Sequence, residues 1–464
     1  MSGGQDPFKG YKGRARQALE RLGVKVWSDV RLTNDSGSTF EGFVLPRSET
    51  YDDLHIVIKM RNGYNVGVHV DRITRAEVLG YKEAVYKIPE KGFPRQPSLP
   101  YVTLLGTGGT IASRLDYRTG AVIPAFTPGE LYGAVPELAD ICNLKTEKLF
   151  GVFSENMGWT EYCTLAEAIG REIRAGADGI VIGHGTDTMG HTAAVLSFMV
   201  QNSPVPIIMV GSQRSSDRPS SDAALNLIHA VRAAAFGDIA EVLICMFGPT
   251  SDSYDLLHRG TRCRKMHSSY RSTFRTIGDL PLCRVSRDAF DLITDDYLPR
   301  DKTRQVKVDA VYDDRVTILY YYPGMKPDLV DSLVDLGYRG IVIAGTGLGH
   351  VNRPLYPALK RAVQHGVHVV MTVQTLWGYA QMYVYDTGRD LLDLGVVPLD
   401  NMLPETALMK LGWVLGHTRD HAEVQRLMRS VVNHEITPRE PHMGYLILQG
   451  GLPETEQWVM QNWK

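Results

Sequence analysis

Apolar and polar residues alternate with a period of two over residues 25–75. The alternating runs are separated by turn signals at Asp35-Ser36-Gly37 and Asn62-Gly63, and Asn-Gly between such runs is a strong hairpin signal. Alternation of this kind is typical of strands with one buried face. The pattern predicts a small N-terminal β-barrel-like domain of about four or five strands, preceded by a short helix over residues 15–22.

From residue 101 onward the pattern changes to short apolar runs separated by segments with helical periodicity. Strands are predicted over residues 101–105, 179–182, 205–210 and 241–246, and helices over 165–175, 192–201 and 223–236. Further strands are predicted over 316–321, 340–344 and 367–372. Strands that alternate with helices indicate parallel sheets with helices on both faces. We therefore predict the fold class α/β, with two α/β domains after the N-terminal β domain.

Two interruptions of these patterns predict the domain boundaries. Residues 88–100 contain Pro89, Pro94, Pro97 and Pro100, a composition that is typical of a semi-rigid linker. A polar stretch near 295–303 separates the two α/β domains. The predicted organisation is an N-terminal β domain with a basic helical arm (1–88), a Pro-rich linker (89–100), a large α/β domain (101–295), a linker (296–311), a smaller C-terminal α/β domain (312–436) and a tail (437–464).

Composition narrows the class of protein without setting its function. The 464 residues carry a formal net charge of −2, so the overall charge does not indicate binding to nucleic acid or to a membrane surface. The five cysteines form no C-x-x-C pair, and we expect reduced thiols in a cytoplasmic protein rather than a zinc ribbon or a disulfide framework. Neither a secretion signal nor a membrane span is expected. The basic face of the helical arm fits a solvated surface better than an RNA-facing one, although both remain open; its residues are Lys9, Lys12, Arg14, Arg16 and Arg21.

The candidate chemistry begins in the loop Gly106-Thr107-Gly108-Gly109-Thr110, directly after the predicted strand 101–105. Glycines there leave backbone N–H groups open to a ligand, at the strand end where α/β sheets bind their ligands. The dinucleotide and P-loop patterns both fail, because Ile111 replaces the last glycine and no Gly-Lys-Ser/Thr follows. Thr110 is therefore a candidate nucleophile, while Thr107 is expected to be structural.

A second hydroxyl lies in the loop after the strand 179–182, where Thr186 is followed by Asp187. Neighbouring strand ends open onto one crevice, so these side chains can lie near Thr110. An N-cap role for Asp187 is the competing interpretation. A basic run around Lys265 can supply the base that a threonine nucleophile requires, or it can be a solvated or phosphate-binding surface. The residues permit a threonine site without a metal, but do not establish it.

Two motifs then indicate a family. TGGTIAS at 107–113 and HGTDTM at 184–189 resemble the paired signatures of L-asparaginase/glutaminase-type amidohydrolases, and the similarity extends over about 101–435. The loop 153–157, the stretch GSQRSSDRPSSDAALNL at 211–227, the Lys265 segment and DLGYRGIVIAGTGLG at 335–349 are similar in the same order. The resemblance implies a two-domain asparaginase-like body. It also implies that Thr110 is the nucleophile, that Thr186, Asp187 and Lys265 form a second catalytic cluster, and that Ser154, Glu155, Gly109 and Asp187 bind the substrate.

The added β domain and the run GTRCRKMHSSYRSTFRTIG resemble a narrower family, the D subunits of archaeal glutamyl-tRNA(Gln) amidotransferases. That resemblance implies a glutaminase that passes ammonia to the amidotransferase E subunit, which uses ATP and Mg²⁺ to convert Glu-tRNA(Gln) to Gln-tRNA(Gln). It also implies a homodimer within a heterotetramer, and no cofactor bound by this chain. Tyr117 is the nearest candidate for a lid tyrosine. A free-standing asparaginase or glutaminase and a catalytically silent RNA-docking subunit are the alternatives.

Overall fold

The N-terminal part of the chain forms the predicted small β domain. The computed structural model describes residues 6–47, 52–62, 64–82, 96–108, 113–115, 122–124, 135–214 and 220–441. A helix and five antiparallel strands, in the order β4-β3-β2-β1-β5, share one core. They are α1 (Gly13–Arg21), β1 (Ser28–Asn34), β2 (Thr39–Val44), β3 (His55–Met60), β4 (Asn65–His69) and β5 (Ile73–Tyr81).

Pairing in this domain follows from the sequence pattern. Val30 and Leu32 of β1 and Ile56 and Ile58 of β3 are buried, and the residues between them face outward, as a period of two requires. The β1–β2 turn is closed by the Asn34 side chain, which accepts hydrogen bonds from the backbone N–H groups of Ser36 and Ser38. The expectation of four or five strands is therefore confirmed, with five present.

The large α/β domain is built on an eight-stranded sheet in the order β18-β17-β14-β13-β12-β10-β6-β9. The elements between residues 101 and 308 are, in chain order, β6 (Tyr101–Gly108), β7 (Ser113–Leu115), β8 (Val122–Pro124), β9 (Asn143–Val152), α2 (Trp159–Arg174), β10 (Gly179–Gly183), α3 (Met189–Met199), β11 (Val200–Gln201), β12 (Ile207–Val210), α4 (Ala223–Phe236), β13 (Val242–Phe247), β14 (Asp255–Arg259), β15 (Cys263–Lys265), β16 (Phe274–Thr276), β17 (Cys283–Val285), β18 (Phe290–Leu292) and β19 (Lys307–Val308).

The central strands are apolar on both faces, which is why they appear as continuous hydrophobic runs in the sequence. Ile180 and Ile182 of β10 pack in the core shared with α2 and α3, whereas Val181 packs on the opposite face with α4. Strands β9, β6, β10, β12 and β13 are parallel, as predicted. Strands β14, β17 and β18 extend the sheet in antiparallel fashion, and the strand–helix alternation did not anticipate them.

The C-terminal domain has a four-stranded parallel sheet in the order β20-β21-β22-β23. Its elements are β20 (Val316–Tyr320), α5 (Asp328–Asp335), β21 (Gly340–Gly345), α6 (Tyr356–Gln364), β22 (His368–Val373), α7 (Asp386–Asp393), β23 (Val397–Pro398), α8 (Pro404–His417) and α9 (His421–Arg429). Helix α8 packs between this sheet and α3, with the Trp413 and Phe198 rings stacked at 5.8 Å between centroids.

The chain divides into two compact units, one containing Met1–Pro89 with Ser113–Ile123 and the other Glu90–Ala112 with Pro124–Lys464. Residues 89–95 of the predicted linker and the predicted tail from residue 442 lie outside the described residues. The boundaries between the six predicted segments stay predictions. None of the helices in the described ranges combines the length and the hydropathy that a membrane crossing requires.

A buried histidine fixes the turn that follows β10. His184 is fully buried; its Nδ1 lies 2.7 Å from the Gly185 carbonyl oxygen, and its Nε2 lies 2.9 Å from the Thr192 hydroxyl. A carbonyl can only accept, so Nδ1 carries the proton and Nε2 accepts from Thr192. Burial lowers the pKa of His184 to about 4, although the hydrogen bond to Gly185 acts in the opposite sense. His184 is therefore a neutral structural group next to Thr186.

This burial predicts a loss of stability in acid. Because the folded pKa of about 4 lies below the usual pKa of histidine, the unfolded chain binds more protons between these two values, and stability falls as the pH drops through that window. Relative to a His184→Gln variant, the wild type should lose about 2 kcal/mol of unfolding free energy between roughly pH 7 and pH 4.5. Urea unfolding at the two pH values measures this difference, and parallel pH profiles for the two proteins would contradict it.

Candidate active site

The two motif loops begin side by side at the carboxyl ends of adjacent parallel strands. Gly106 of β6 is paired with Gly183 of β10 in the parallel register. The buried Thr107 donates its hydroxyl hydrogen to the Gly183 carbonyl at 2.9 Å, which ties the start of one loop to the other and agrees with the structural role expected of Thr107. Gly109, Thr110 and Tyr117 lie outside the described residues, so their predicted roles stay predictions.

Lys265 joins the second loop to a distant part of the chain. Its Nζ donates to Thr186 Oγ1 at 3.0 Å and to Asp187 Oδ1 at 2.7 Å. The lysine side chain is only 12% exposed, whereas the side chain of Asp187 is 69% exposed. A hydroxyl, a carboxylate and an ammonium group therefore meet at one point, with the carboxylate on the open side.

The position of Asp187 argues against the N-cap interpretation. Helix α3 begins at Met189, and its N-cap residue is Thr188, which makes no capping hydrogen bond with its side chain. The Thr188 hydroxyl donates instead to the carbonyl of Ser154 at 2.6 Å. The carboxylate of Asp187 turns toward Lys265, so its interaction is with the site and not with the helix terminus.

Ser154 and Glu155 lie in a 3₁₀ turn, Ser154–Asn156, against the same loop. Ser154 is buried, and a Cβ atom at Gly185 would approach its Cβ and Oγ to 2.8 Å, so only glycine fits at that position. Glu155 is exposed to solvent. The structure therefore places Ser154 against the loop that contains Thr186 and Asp187, and it leaves Glu155 exposed to solvent.

A third loop, which follows β12, packs against the loop that contains Thr186. A Cβ atom at Gly211 would lie 2.8 Å from Thr186 Cγ2, so the backbone there approaches Thr186 closely. The fully buried carboxylate of Asp222 accepts hydrogen bonds from the N–H groups of Gln213 at 2.9 Å and Arg214 at 3.0 Å. Asp222 is not among the site residues predicted from the sequence, although an aspartate at a helix start after Ser220-Ser221 is a signal for such a role.

The basic run that contains Lys265 is not an open patch. Arg262 is fully buried, Arg264 pairs with Glu405 at 2.9 Å, and Arg271 pairs with Asp252 and lies over the ring of Phe247 at 4.6 Å. Arg275 donates to the Ser272 carbonyl at 2.8 Å. These guanidinium groups already have protein partners, so the interpretation of the run as a solvated or phosphate-binding surface is not favoured.

Metal-ligating side chains do not gather at this place. Within the described ranges, no group of three or more His, Cys, Asp or Glu side chains is arranged to hold a metal ion. His258 and Cys263 near Lys265 are both buried, and burial lowers the pKa of His258 to about 3 and raises that of Cys263. Among the described side chains of this site, a hydroxyl, a carboxylate and an amine lie together, in Thr186, Asp187 and Lys265.

Comparison with known proteins adds three matched domains. The protein-family model "Asparaginase, N-terminal" matches residues 101–297. The family model "Glutaminase/Asparaginase C-terminal domain" matches 315–428, and the family model "GatD N-terminal domain" matches 24–79. Among solved structures, the thermostable L-asparaginase from Thermococcus kodakarensis is similar with a TM-score of 0.65 and 30% identity, over 73% of this chain and 99% of that one. L-asparaginase I from Vibrio cholerae has a TM-score of 0.63 and 28% identity, over 73% and 100%. The asparaginase-like body is thus confirmed.

Curated relatives extend the similarity to the N-terminal domain. The D subunit of the glutamyl-tRNA(Gln) amidotransferase from Thermococcus kodakarensis is 49% identical over 435 residues, which are 92% of this chain and 98% of the relative. The corresponding D subunit from Pyrococcus furiosus is 47% identical over 440 residues, which are 94% and 100%. The chain belongs to the family of glutamyl-tRNA(Gln) amidotransferase D subunits, as its motifs and its added β domain together indicated.

Proposed function

We propose that this chain is the glutaminase subunit of a tRNA-dependent amidotransferase. It hydrolyses glutamine to glutamate and supplies ammonia to the amidotransferase E subunit, which converts Glu-tRNA(Gln) to Gln-tRNA(Gln) within a ligase complex. The observation that carries the proposal is Lys265 held between Thr186 and Asp187, at the strand end adjacent to the loop that leads to Thr110. Membership of the D-subunit family supports the substrate and the partner.

The proposed reaction is acyl transfer in two steps. Thr110 Oγ attacks the side-chain carboxamide carbon of glutamine, and its proton passes to Lys265 in its unprotonated amine form. The transfer is direct, or it runs through Thr186, whose hydroxyl accepts the proton of Thr110 and gives its own to Lys265. A threonine hydroxyl requires such a base because it is a weak nucleophile in its protonated form. The 3.0 Å hydrogen bond between Lys265 Nζ and Thr186 Oγ1 provides the second route.

Groups near the reacting carbon stabilise the negative charge of the intermediate and protonate the leaving nitrogen. Backbone N–H groups near Gly109 and Thr186 stabilise the oxyanion, and such a donor contributes about 3 kcal/mol in comparable sites. The tetrahedral intermediate collapses with transfer of a proton to the leaving nitrogen, so ammonia departs and an acyl-threonine ester remains. Water then attacks the ester, releases glutamate and restores the hydroxyl of Thr110.

We assign binding of the α-amino-acid end of glutamine to the solvent-exposed side of the site. The exposed carboxylate of Asp187 suits the α-ammonium group of glutamine, and Ser154 and Glu155 border the same loop and suit its α-amino-acid end. Tyr117 is proposed as a lid residue. No step requires a cofactor on this chain; ATP and Mg²⁺ belong to the amidation step in the E subunit. The proposed assembly is a homodimer of this chain within a heterotetramer.

The two alternative functions are less well supported. A free-standing asparaginase or glutaminase does not account for the N-terminal domain, because 73% of this chain already covers almost the whole of the similar L-asparaginases. The hypothesis of a catalytically silent RNA-docking subunit leaves the contact of Lys265 with Thr186 and Asp187 without an explanation.

Ammonia release from glutamine by the full-length chain tests the proposal directly. The assay is run with the chain alone, with the E subunit, and with the E subunit and glutamyl-tRNA(Gln) together. We expect turnover to rise at least about tenfold when both are present, because a coupled glutaminase is activated by differential binding of its partner and substrate. High turnover by the isolated chain would favour the free-standing enzyme, and its absence in every setting would favour the docking role.

Replacing Thr110 by alanine removes the proposed nucleophile. Glutamine hydrolysis should fall by at least about a thousandfold, as for other covalent catalysts that lose the attacking group. The matched control is Thr107→Ser in the same loop, which keeps the hydroxyl that donates to Gly183 and should retain most of the activity. Hydrolysis that survives in a folded Thr110→Ala protein would refute the assignment.

Replacing Lys265 by methionine removes the proposed base while keeping an apolar stem of similar length. We expect kcat to fall by at least about a hundredfold, which is the usual range for general-base removal. Lys302→Met is the control, because Lys302 makes a comparable 2.6 Å ion pair with Asp178 on the surface. If Lys265→Met lowered only the affinity for tRNA, the interpretation of the basic run as a nucleic-acid surface would be restored.

A further inference from the structure

Lys265 lies on a short hairpin whose own hydrogen bonds are too few to hold it in place. The hairpin consists of β15 and β16, which have three residues each and pair only with one another in the described sheets. An isolated two-stranded hairpin is marginally stable in water. The hydrogen bonds to Thr186 and Asp187 hold the end of the Lys265 side chain, but they do not hold its backbone. Other contacts must therefore hold the backbone of Lys265 in place.

The base of the hairpin is held by buried groups. Arg262 donates to the carbonyl oxygens of Ile277 at 2.9 Å, Asn401 at 2.8 Å and Glu435 at 2.9 Å, and Phe274 opposite Lys265 is fully buried. These contacts are parts of the core, so their removal is expected to unfold the region. They explain why the hairpin is present, but they do not reach the Lys265 side chain itself.

One further contact lies directly beside Lys265 in the chain. The guanidinium group of Arg264 pairs with Glu405 Oε1 at 2.9 Å, and the Tyr320 hydroxyl donates to the same oxygen at 3.0 Å. Glu405 is in the first turn of α8 and Tyr320 ends β20, so both belong to the C-terminal domain. The side chains of Arg264 and Glu405 are 30% and 18% exposed, which leaves this contact at the border of the core.

We propose that Arg264 and Glu405 are positioning residues for Lys265, through which the C-terminal domain holds the amine against Thr186 and Asp187. Consecutive residues of a strand point to opposite faces but share one backbone. Fixing the Arg264 side chain on one face therefore fixes the direction of Lys265 on the other. The catalytic meaning of this position rests on the proposed function, since Lys265 is there assigned as the base.

The same pair also reaches the helix that follows Asp187. His191, in the first turn of α3, lies close enough to Glu405 and Arg264 for both charges to act on its pKa, which burial lowers. The Arg264–Glu405 pair thus lies between the hairpin that carries Lys265 and the helix that begins just after Asp187. A change in this pair would alter the relative position of the two groups that meet in the site.

A substrate-binding role for Arg264 is the competing assignment. An arginine near an amino-acid site can bind the α-carboxylate of the substrate. In this structure the guanidinium group already contacts a protein carboxylate and the Tyr320 hydroxyl. The two roles differ in their kinetic effect, because a positioning residue lowers kcat, whereas loss of a carboxylate contact raises KM.

The test measures kcat and KM for glutamine in Arg264→Met, in Glu405→Gln and in the variant that carries both changes. Arg271→Met is the matched control, because Arg271 lies in the same hairpin loop and pairs with Asp252 away from Lys265. We expect Arg264→Met and Glu405→Gln each to lower kcat for glutamine about tenfold with little change in KM, since small misplacements of a catalytic group have effects of this size or larger. The double variant should be no worse than Arg264→Met within about twofold, since coupled residues are not additive. Arg264→Lys should recover part of the loss, and Arg271→Met should match the wild type.

A second readout does not depend on glutaminase activity. Competitive labelling of lysine amines with acetic anhydride, followed by peptide mass spectrometry, measures the reactivity of Lys265 in the folded full-length proteins. Labelling of Lys265 should be at least about threefold faster in Arg264→Met than in Arg271→Met, because local opening exposes the amine. Thermal unfolding of each variant confirms that the fold is retained.

The outcomes separate the two proposals. Unchanged labelling of Lys265 in a folded Arg264→Met protein would overturn the positioning role, whatever the activity. A rise in KM at constant kcat would assign Arg264 to the substrate and also overturn it. If the wild type hydrolysed no glutamine with the E subunit and glutamyl-tRNA(Gln), the proposed function would fail, while the labelling result would still decide whether Arg264 holds Lys265.

Discussion

The hydrogen bonds from Lys265 to Thr186 and Asp187 are the contacts on which the candidate active site depends. The second motif loop is held by rigid elements: β10 below it, the buried imidazole of His184 within it and the close backbone of Gly211 behind it. Lys265 is held by a small hairpin that needs support from other parts of the chain. The geometry of the site is therefore set by the contacts that join this hairpin to the rest of the protein.

One of those contacts comes from a segment beyond residue 428, where the matched asparaginase domain ends. Glu435 is fully buried, and its carboxylate accepts from Lys410 Nζ at 2.6 Å and from the Asn433 N–H at 2.7 Å. Burying two charges is costly unless both are paired and hydrogen-bonded, and here both conditions hold. The same segment offers the Glu435 carbonyl to Arg262, so the buried ion pair fixes a backbone that in turn holds the base of the Lys265 hairpin.

Local patterns predicted the strands and the loops, but not the long-range contacts between them. Period-two alternation and short apolar runs located β1 to β4, β6, β10, β12 and β13, because each depends on burial of its own side chains. Thr186 and Asp187 were found from a hydroxyl and a carboxylate in a loop after a strand, and the structure brings both into contact with Lys265. Ser154 was identified only through the family resemblance, and it lies against the same loop. Arg264, Glu405 and the antiparallel strands β14, β17 and β18 were missed, since their pairing joins residues far apart in sequence and leaves no periodic signal.

Several arginines of the N-terminal domain are paired with carboxylates in the fold. A basic residue in the sequence therefore does not by itself indicate a cation that is open to a ligand. Arg16 lies 3.1 Å from Asp6 and from Glu20, Arg14 pairs with Asp71, and Arg72 pairs with Asp35 at 3.0 Å. A phosphate backbone would have to displace these carboxylates to use the same guanidinium groups, which weakens the electrostatic interaction that dominates nucleic-acid affinity. The basic face of α1 is therefore better explained as a solvated, ion-paired surface than as an RNA-binding arm.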